Sequence, residues 1–184
     1  MLFQSKQSDG GYTLLEILII VFIVGILSAI AAPSWLGFLT RLSLNTAQAE
    51  ALNIMRDAQA KAKLQKRVWE ACFQQNDTEK KVQWSVHPVS QQSGDICTNA
   101  RWQNLIGSDT DKIAIDISSP ARSTLFKRNN IYRVQFNHKG WVNGQLGKIT
   151  FTTRNQTNNS PRRCVVVSTL LGALRTAQER ECRD

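Results

Sequence analysis

The feature that most constrains this chain is a long uncharged segment near its N-terminus. No charged residue occurs from Ile17 to Thr40, and the part from Ile17 to Ile30 consists almost wholly of Ile, Leu, Val and Phe. As a helix that rises about 1.5 Å per residue, this segment covers roughly 35 Å, more than the roughly 30 Å of a bilayer's hydrocarbon core. No second apolar run of that length follows, so the sequence predicts one membrane-spanning helix and one domain outside the membrane.

The cysteines of the polar part indicate the compartment of that domain. None of the four belongs to a CxxC pair, and both histidines, His87 and His138, lie far from them in sequence, so we expect no metal site; the cysteines are Cys72, Cys97, Cys164 and Cys182. An even number of widely spaced cysteines beyond a membrane anchor is typical of two disulfides in an oxidising compartment such as a periplasm. Of three possible pairings we favour Cys72 with Cys97 and Cys164 with Cys182, because each closes a short loop. Four buried thiols in a reducing compartment are the alternative.

The N-terminus combines a short polar leader, MLFQSKQSDGG, with an apolar run that begins YTLLEILIIVFIVGILSAIAAPS. This segment resembles the class III signal of type IV prepilins, in which the leader ends in Gly and a Glu stands fifth after the cut. The resemblance implies removal of residues 1–11 by a prepilin peptidase between Gly11 and Tyr12, and N-methylation of Tyr12. Glu16 is then the fifth residue after the cut. Pro33 is the twenty-second, where pilins commonly carry a proline that bends the helix.

Glu16 needs a partner, because a carboxylate in an apolar helix costs about 2.5 to 3.5 kcal/mol at mid-bilayer. Cleavage after Gly11 would create an ammonium at Tyr12, and the family resemblance implies that the Glu of one subunit meets the freed N-terminus of its neighbour. Attraction between such charges is strong in a low-dielectric filament core. We therefore expect Glu16 and Pro33 to serve assembly with other pilin subunits on an inner-membrane assembly platform.

Two other interpretations of the N-terminus compete with this one. A secretory signal peptide cut near Ala29 to Ala32 fits poorly, because an acidic residue opens the apolar run and the leader holds one positive charge. An uncut signal anchor explains the hydrophobicity but leaves Gly11, Glu16 and Pro33 as coincidences.

The pattern of the remaining chain predicts an α+β fold of type IV pilin-like architecture. Apolar residues recur at steps of three and four from Leu44 to Trp69, which predicts that the helix continues with an amphipathic face to about Cys72. Alternation typical of antiparallel strands follows, around Trp84, Ile115 and elsewhere. The expected organisation is a leader at 1–11, a transmembrane or filament-core half-helix at 12–40, an amphipathic helix at 41–72 and a β-rich domain at 73–184.

The last third resembles the GspH/FimT group of minor pilins and pseudopilins. The segments VQFNHKGWV, CVVVS and GALR stand in the order of that group's phenylalanine strand, late hydrophobic strand and Gly-Arg-x-Arg hairpin. Ala173 replaces the first hairpin arginine, so only Gly172 and Arg175 carry over. Some members of the group bind DNA through this hairpin during natural transformation.

Charge supports a nucleic-acid interface in the same region. From residue 120 onward there are twelve basic and three acidic residues, which accounts for the whole net charge of +9. Such a face would hold duplex phosphates without reading sequence. The candidate residues are Arg162, Arg163, Gly172 and Arg175; a solvated face, an acidic protein neighbour and anionic lipid head groups are the competing interpretations. Trp141 could stack on a base, although its alternating pattern favours the core.

These features favour a structural role over a catalytic one. We expect a minor pilin of a type IV pilus, single-pass in the inner membrane with a periplasmic domain, serving pilus assembly, motility, adhesion or DNA uptake. A type II secretion pseudopilin and a membrane-tethered DNA-binding receptor are the alternatives. No nucleophile with a base, carboxylate pair, metal-ligand spacing or phosphate loop occurs, so neither an enzyme nor a cofactor is expected.

Overall fold

The computed structural model describes residues 11–89, 97, 100–105, 112–118, 122–155, 157 and 160–183, with the side chains of residues 30–34 excepted. It divides into two compact units, Met1–Leu39 and Thr40–Asp184. The first consists, in its described part, of helical residues, and the second contains the rest of that helix and all of the described strands. The predicted α+β class is confirmed.

One long helix, α1, runs over Leu14–Gln65. It begins after Thr13, whose hydroxyl oxygen accepts a hydrogen bond from the Glu16 N–H at 3.2 Å, as an N-cap residue does. It ends before the predicted boundary near Cys72. Lys66 adopts the left-handed region at φ 54°, which ends the helix, and the chain then enters a strand that holds Cys72.

Nine strands follow the helix in the described residues, and several of the longer ones lie where the sequence predicted strands, whereas the first begins within the segment that was expected to be helical. They are β1 (Trp69–Asn76), β2 (Lys81–Pro88), β3 (Gln103–Asn104), β4 (Ile113–Ile115), β5 (Phe126–Arg128), β6 (Ile131–Phe136), β7 (Gly147–Thr153), β8 (Arg162–Val167) and β9 (Leu174–Gln178). A single turn of 3-10 helix, Glu179–Cys182, comes after them.

The strands form two antiparallel sheets. The first has five strands in the order β3-β2-β1-β6-β5, and the second has four in the order β4-β7-β8-β9. In the first sheet Glu70 lies opposite His87 and Cys72 opposite Ser85, so these four residues share one face. In the second, β9 is an edge strand in which Arg175 pairs with Val166 of β8.

One hydrophobic core joins the C-terminal half of α1 to both sheets. The helix contributes a stripe at three- and four-residue spacing, and the sheets contribute large residues that include Phe73, Phe136 and Phe151. The stripe consists of Leu44, Ala47, Ala51, Ile54, Met55, Ala58 and Ala62, all of them buried. The predicted amphipathic half of the helix is confirmed, and its small alanines allow the helix to lie close against the strands.

Within the described residues, no helical segment combines the length and the apolarity needed to cross a bilayer.

Candidate functional site

Three of the predicted cleavage and assembly residues, Gly11, Tyr12 and Glu16, lie at or just before the start of α1. Tyr12 is 76% exposed, and Glu16 stands in the first helical turn. Thr13 and Glu16 form the sequence pattern of a capping box, and the Glu16 N–H donates to both the hydroxyl and the carbonyl oxygen of Thr13. A carboxylate is also stabilised here by the positive end of the helix dipole. No ion pair in the described part of the chain involves Glu16, so its charge is open to a partner from outside the chain.

The N-terminal half of α1 exposes apolar side chains on all sides. Every described large apolar side chain from Leu14 to Leu42 is between 38% and 85% exposed. A helix that is apolar all round is stable only where lipid or other protein covers it. Pro33 falls among residues 30–34, whose side chains lie outside the described part, so a bend at this proline stays a prediction; so does the fate of the leader, since residues 1–10 also lie outside it.

Two disulfides tie the β-rich part together. They join Cys72 to Cys97, with Cα atoms 6.4 Å apart, and Cys164 to Cys182, with Cα atoms 5.8 Å apart. These are the pairings that the sequence favoured. The second fastens the 3-10 helix after β9 to the middle of β8, and so fixes the end of the chain beside the predicted hairpin.

Arg162, expected to contact DNA, is instead part of the protein interior. It is 3% exposed, and its Nε donates to Asp116 Oδ2 at 2.7 Å. Its Nη1 donates to the carbonyl oxygen of Ser160 at 3.0 Å. A buried guanidinium with these partners cannot meet a phosphate without unfolding its surroundings.

Arg163 is likewise engaged. It is 7% exposed and links three parts of the chain, because its Nε donates to Asn45 Oδ1 of α1 at 2.6 Å and its Nη1 donates to Glu179 Oε1 at 2.7 Å. The burial of Arg162 and Arg163 therefore argues against the expectation that these residues form a nucleic-acid surface. The sequence did not reveal the burial of Arg162 and Arg163, because their partners, Asp116 and Asn45, are far from them in sequence.

Gly172 and Arg175 lie where the hairpin resemblance places them, in the turn between β8 and β9 and on β9. Arg175 is exposed, and its Nη1 donates to Glu181 Oε2 at 2.7 Å. Gly172 has φ +86°, and a Cβ there would meet the carbonyl oxygen of Gly140 and the Nε2 of Gln59. A packing requirement thus explains this glycine without any ligand.

Apolar side chains occupy the tip of this hairpin. Leu170 is 60% and Leu171 66% exposed. Trp141, which its pattern favoured as a core residue, is 43% exposed and lies outside the strands, directly after the turn that follows β6. The expectation for Trp141 was wrong because the next residue, Val142, bridges to Phe136 and is the buried one, which leaves Trp141 on the exposed side.

A buried polar cluster on β1 and β2 escaped the sequence analysis. Glu70 Oε1 lies 3.0 Å from His87 Nε2, and His87 Nδ1 lies 3.3 Å from the Ser85 hydroxyl. The order of groups is that of a hydrolytic triad, and all three side chains are buried. Cys72 and Cys97 lie close to Glu70, but their disulfide leaves no thiolate to bind a metal ion.

The two buried carboxylates have lowered pKa values. Burial alone would raise the pKa of Asp116, but hydrogen bonds from Ser118 and Arg162 and the charge of Arg162 hold it below its usual range. Burial likewise opposes ionisation of Glu70, and interactions with His87, Gln135 and Arg133 outweigh it, so its pKa is also lowered. Both groups stabilise the fold as carboxylates.

Comparisons with known proteins found one match to the N-terminal segment and two to the fold. Residues 6–32 match the family described as Prokaryotic N-terminal methylation motif. No curated protein sequence matches the chain. Two crystal forms of the type IV minor pilin FimU from Pseudomonas aeruginosa resemble it at 15% identity. One covers 79% of this chain and 98% of FimU with a TM-score of 0.53, and the other covers 76% and 99% with a TM-score of 0.49.

The motif lies on the segment that holds Gly11, Tyr12 and Glu16, and the structural likeness extends over nearly all of the solved FimU chain. The chain therefore joins a prokaryotic N-terminal methylation motif, at residues 6–32, to a fold like that of the solved type IV minor pilin.

Proposed function

We propose that this chain is a minor subunit of a type IV pilus, made with a leader that is removed between Gly11 and Tyr12. The uncharged segment holds the subunit in the inner membrane, with the β-rich domain in the periplasm, until assembly moves the helix into the filament core. The subunit then contributes to pilus assembly, and through it to motility, adhesion or DNA uptake.

The observation that carries the proposal is the pairing of one acidic residue with a helix whose described apolar side chains are exposed. Side chains from Leu14 to Leu42 are exposed on every side, and Glu16 stands in the first turn beside the proposed new N-terminus. In a bundle of such helices an ammonium at Tyr12 of one subunit can neutralise Glu16 of the next. Neutralisation removes the cost of placing the carboxylate in an apolar surrounding.

Glu16 also has a local role that must be separated from the proposed one. It stands at the third helical position after Thr13, where the capping-box pattern takes either Glu or Gln. Glu16→Gln therefore keeps the capacity to cap the helix and loses the charge. Thr13→Ala removes the capping hydroxyl and keeps the charge, so it is the matched control.

The test measures incorporation of the full chain into filaments of the native cell. Filaments sheared from cells and the remaining membrane fraction are compared by immunoblot for wild type, Glu16→Gln and Thr13→Ala. We expect Glu16→Gln to reduce the filament-to-membrane ratio at least about tenfold, since loss of a low-dielectric ion pair exceeds about 1.4 kcal/mol. Thr13→Ala should stay within about threefold of wild type. Normal incorporation of Glu16→Gln, or an equal loss with Thr13→Ala, contradicts the proposal.

A pseudopilin of type II secretion would use the same anchor and the same fold. The cell fraction that contains the chain distinguishes the two roles. Its presence in sheared type IV pili supports the minor-pilin role. A DNA-binding receptor tethered by the helix has weaker support, because Arg162 and Arg163 are buried and Arg175 is paired with Glu181. Such a receptor would tolerate Glu16→Gln.

A further inference from the structure

An exposed apolar surface lies on the side of the β-rich domain where two turns meet. We call it the tip patch and define it as Trp141, Leu170 and Leu171. These side chains are 43%, 60% and 66% exposed. The turns adjoin, because the Val142 N–H donates to the carbonyl oxygen of Leu170 at 2.8 Å. Large apolar side chains that stand together in this way on a hairpin tip mark an interaction surface.

Hydrogen bonds from the helix hold the two turns of the tip patch in place. Gln59 of α1 donates from Nε2 to the carbonyl oxygens of Gly140 and Gly172, at 2.7 and 3.0 Å, and so fastens both turns to the domain. Asn137 Oδ1 accepts from the backbone N–H of Trp141 at 3.2 Å. A surface fixed by these bonds loses little conformational entropy when a partner covers it.

Two lysines lie beside the tip patch. Lys139 places its Nζ 4.9 Å from the centre of the Trp141 ring, and the Lys63 side chain lies against Gly140. Neither residues 137–142 nor residues 168–174 contain an acidic residue. The patch thus has an apolar centre and a basic rim.

We propose that the tip patch docks a different protein subunit of the same filament, one that presents an apolar contact with an acidic rim. The inference rests on the proposed function, which places the chain beside other subunits. A second copy of this chain does not fit, because two molecules of net charge +9 repel each other. Apolar leucines at the centre, where duplex binding needs cations, disfavour nucleic acid.

The test is photo-crosslinking of the full chain in its native cells. Leu171 is replaced by the photoreactive residue p-benzoylphenylalanine, and the matched control carries it at Ile117, which is 65% exposed on the loop after β4. Adducts are isolated through a tag on this chain and identified by mass spectrometry. A second pair of samples adds Lys63→Glu and Lys139→Glu to the Leu171 probe.

We expect one main adduct from position 171, to a different protein that carries the N-terminal methylation motif and a net negative charge. Reversal of the two lysines should lower its yield at least about fivefold, and position 117 should give little of it. Adducts between two copies, to lipid or to DNA, equal yields from both positions, or no adduct overturn the proposal.

The sheared-filament fraction is measured in the same cells. Presence of the chain in filaments without the expected adduct refutes the tip patch and leaves the proposed function standing. The expected adduct in membranes, with no chain in filaments, refutes the pilus role and leaves the docking surface standing. Absence of both counts against both.

Discussion

At the scale of single residues, the surroundings of each arginine decide what it does. Arg162 and Arg175 lie in adjacent strands, yet the first is buried against Asp116 and the second is exposed beside Glu181. A buried pair is costly to break, about 3 to 5 kcal/mol, whereas an exposed pair contributes about 0.2 to 1 kcal/mol. The formal charge of the C-terminal third therefore overstates the positive charge that a partner meets.

Asp116 should control the acid stability of the β-rich part. Its folded pKa is lowered, so its contribution is complete above the unfolded value of about 3.9 and is lost as the pH falls through the folded value. We expect the free energy of unfolding to fall steadily below about pH 4, with Glu70 adding to the slope. Asp116→Asn should lower stability at pH 7 by about 3 to 5 kcal/mol, because Arg162 is left buried without its counter-charge.

The measurement is denaturant unfolding of the full chain in detergent micelles at several pH values. Asp57→Asn is the control, since Asp57 forms an exposed pair with Lys61 within one helix. It should change stability by less than about 1 kcal/mol and keep the acid slope. An Asp116→Asn variant with the wild-type slope would show that the buried pair does not govern acid unfolding.

Gly172 should be intolerant of any side chain. Gly172→Ala brings a Cβ against the carbonyl oxygen of Gly140 in a backbone region that costs a non-glycine residue about 1 to 3 kcal/mol. Gly144→Ala is the control, because Gly144 also has a positive φ but a Cβ there would have no neighbour within 4 Å. Thermal unfolding should show a larger loss for Gly172→Ala, and equal losses would mean that the close approach to Gly140 is unimportant.

At the scale of elements, the helix was the part that the sequence predicted best. The apolar stripe from Leu44 onward is a local pattern, and a local pattern decides which face a helix buries. The end at Gln65 was missed because the apolar period continues through Val68 and Trp69, which belong instead to the approach and start of β1. Pairing of β1 with β2 and β6 overrides the helical pattern there.

Most strands were predicted, but the sheet order was not. Alternation shows that Val82 to Val86 or Tyr132 to Phe136 forms a strand, and nothing local shows that β1 lies between β2 and β6. The same limit applied to the candidate site. The segment with Glu16 was found because its landmarks are fixed in sequence, whereas burial of Arg162 depends on Asp116, which is 46 residues away.

Two glutamines of α1 dock the helix on the strands and turns. Gln48 Nε2 donates to the carbonyl oxygens of Cys164 and Ala177, and Gln59 does the same to the two turn glycines. Gln59→Ala leaves two carbonyl groups without this donor, and we expect a loss of about 1 to 3 kcal/mol. Hydrogen exchange of the backbone N–H of Val142 should also become faster.

The control for that variant is Gln65→Ala, at the exposed last position of the same helix. It should change neither stability nor exchange at Val142. If Gln59→Ala behaves in the same way, the helix does not hold the turns, and the rigidity of the tip patch has another source.

At the scale of the whole molecule, the chain combines two units with opposite surfaces. One unit exposes apolar side chains along its described helix, and the other buries its apolar residues in a core of its own with two disulfides. Among the described residues, the apolar side chains of the first unit are exposed, and such a helix is stable only where lipid or other protein covers it. The account therefore depends on what happens at the start of that helix.

Mass spectrometry of the mature N-terminal peptide, purified from native cells, tests this most directly. The account predicts a chain that begins at Tyr12 with a methylated amino group, because only removal of residues 1–11 places an ammonium beside Glu16. A chain that begins at Met1, or at a new end near residue 32, contradicts it.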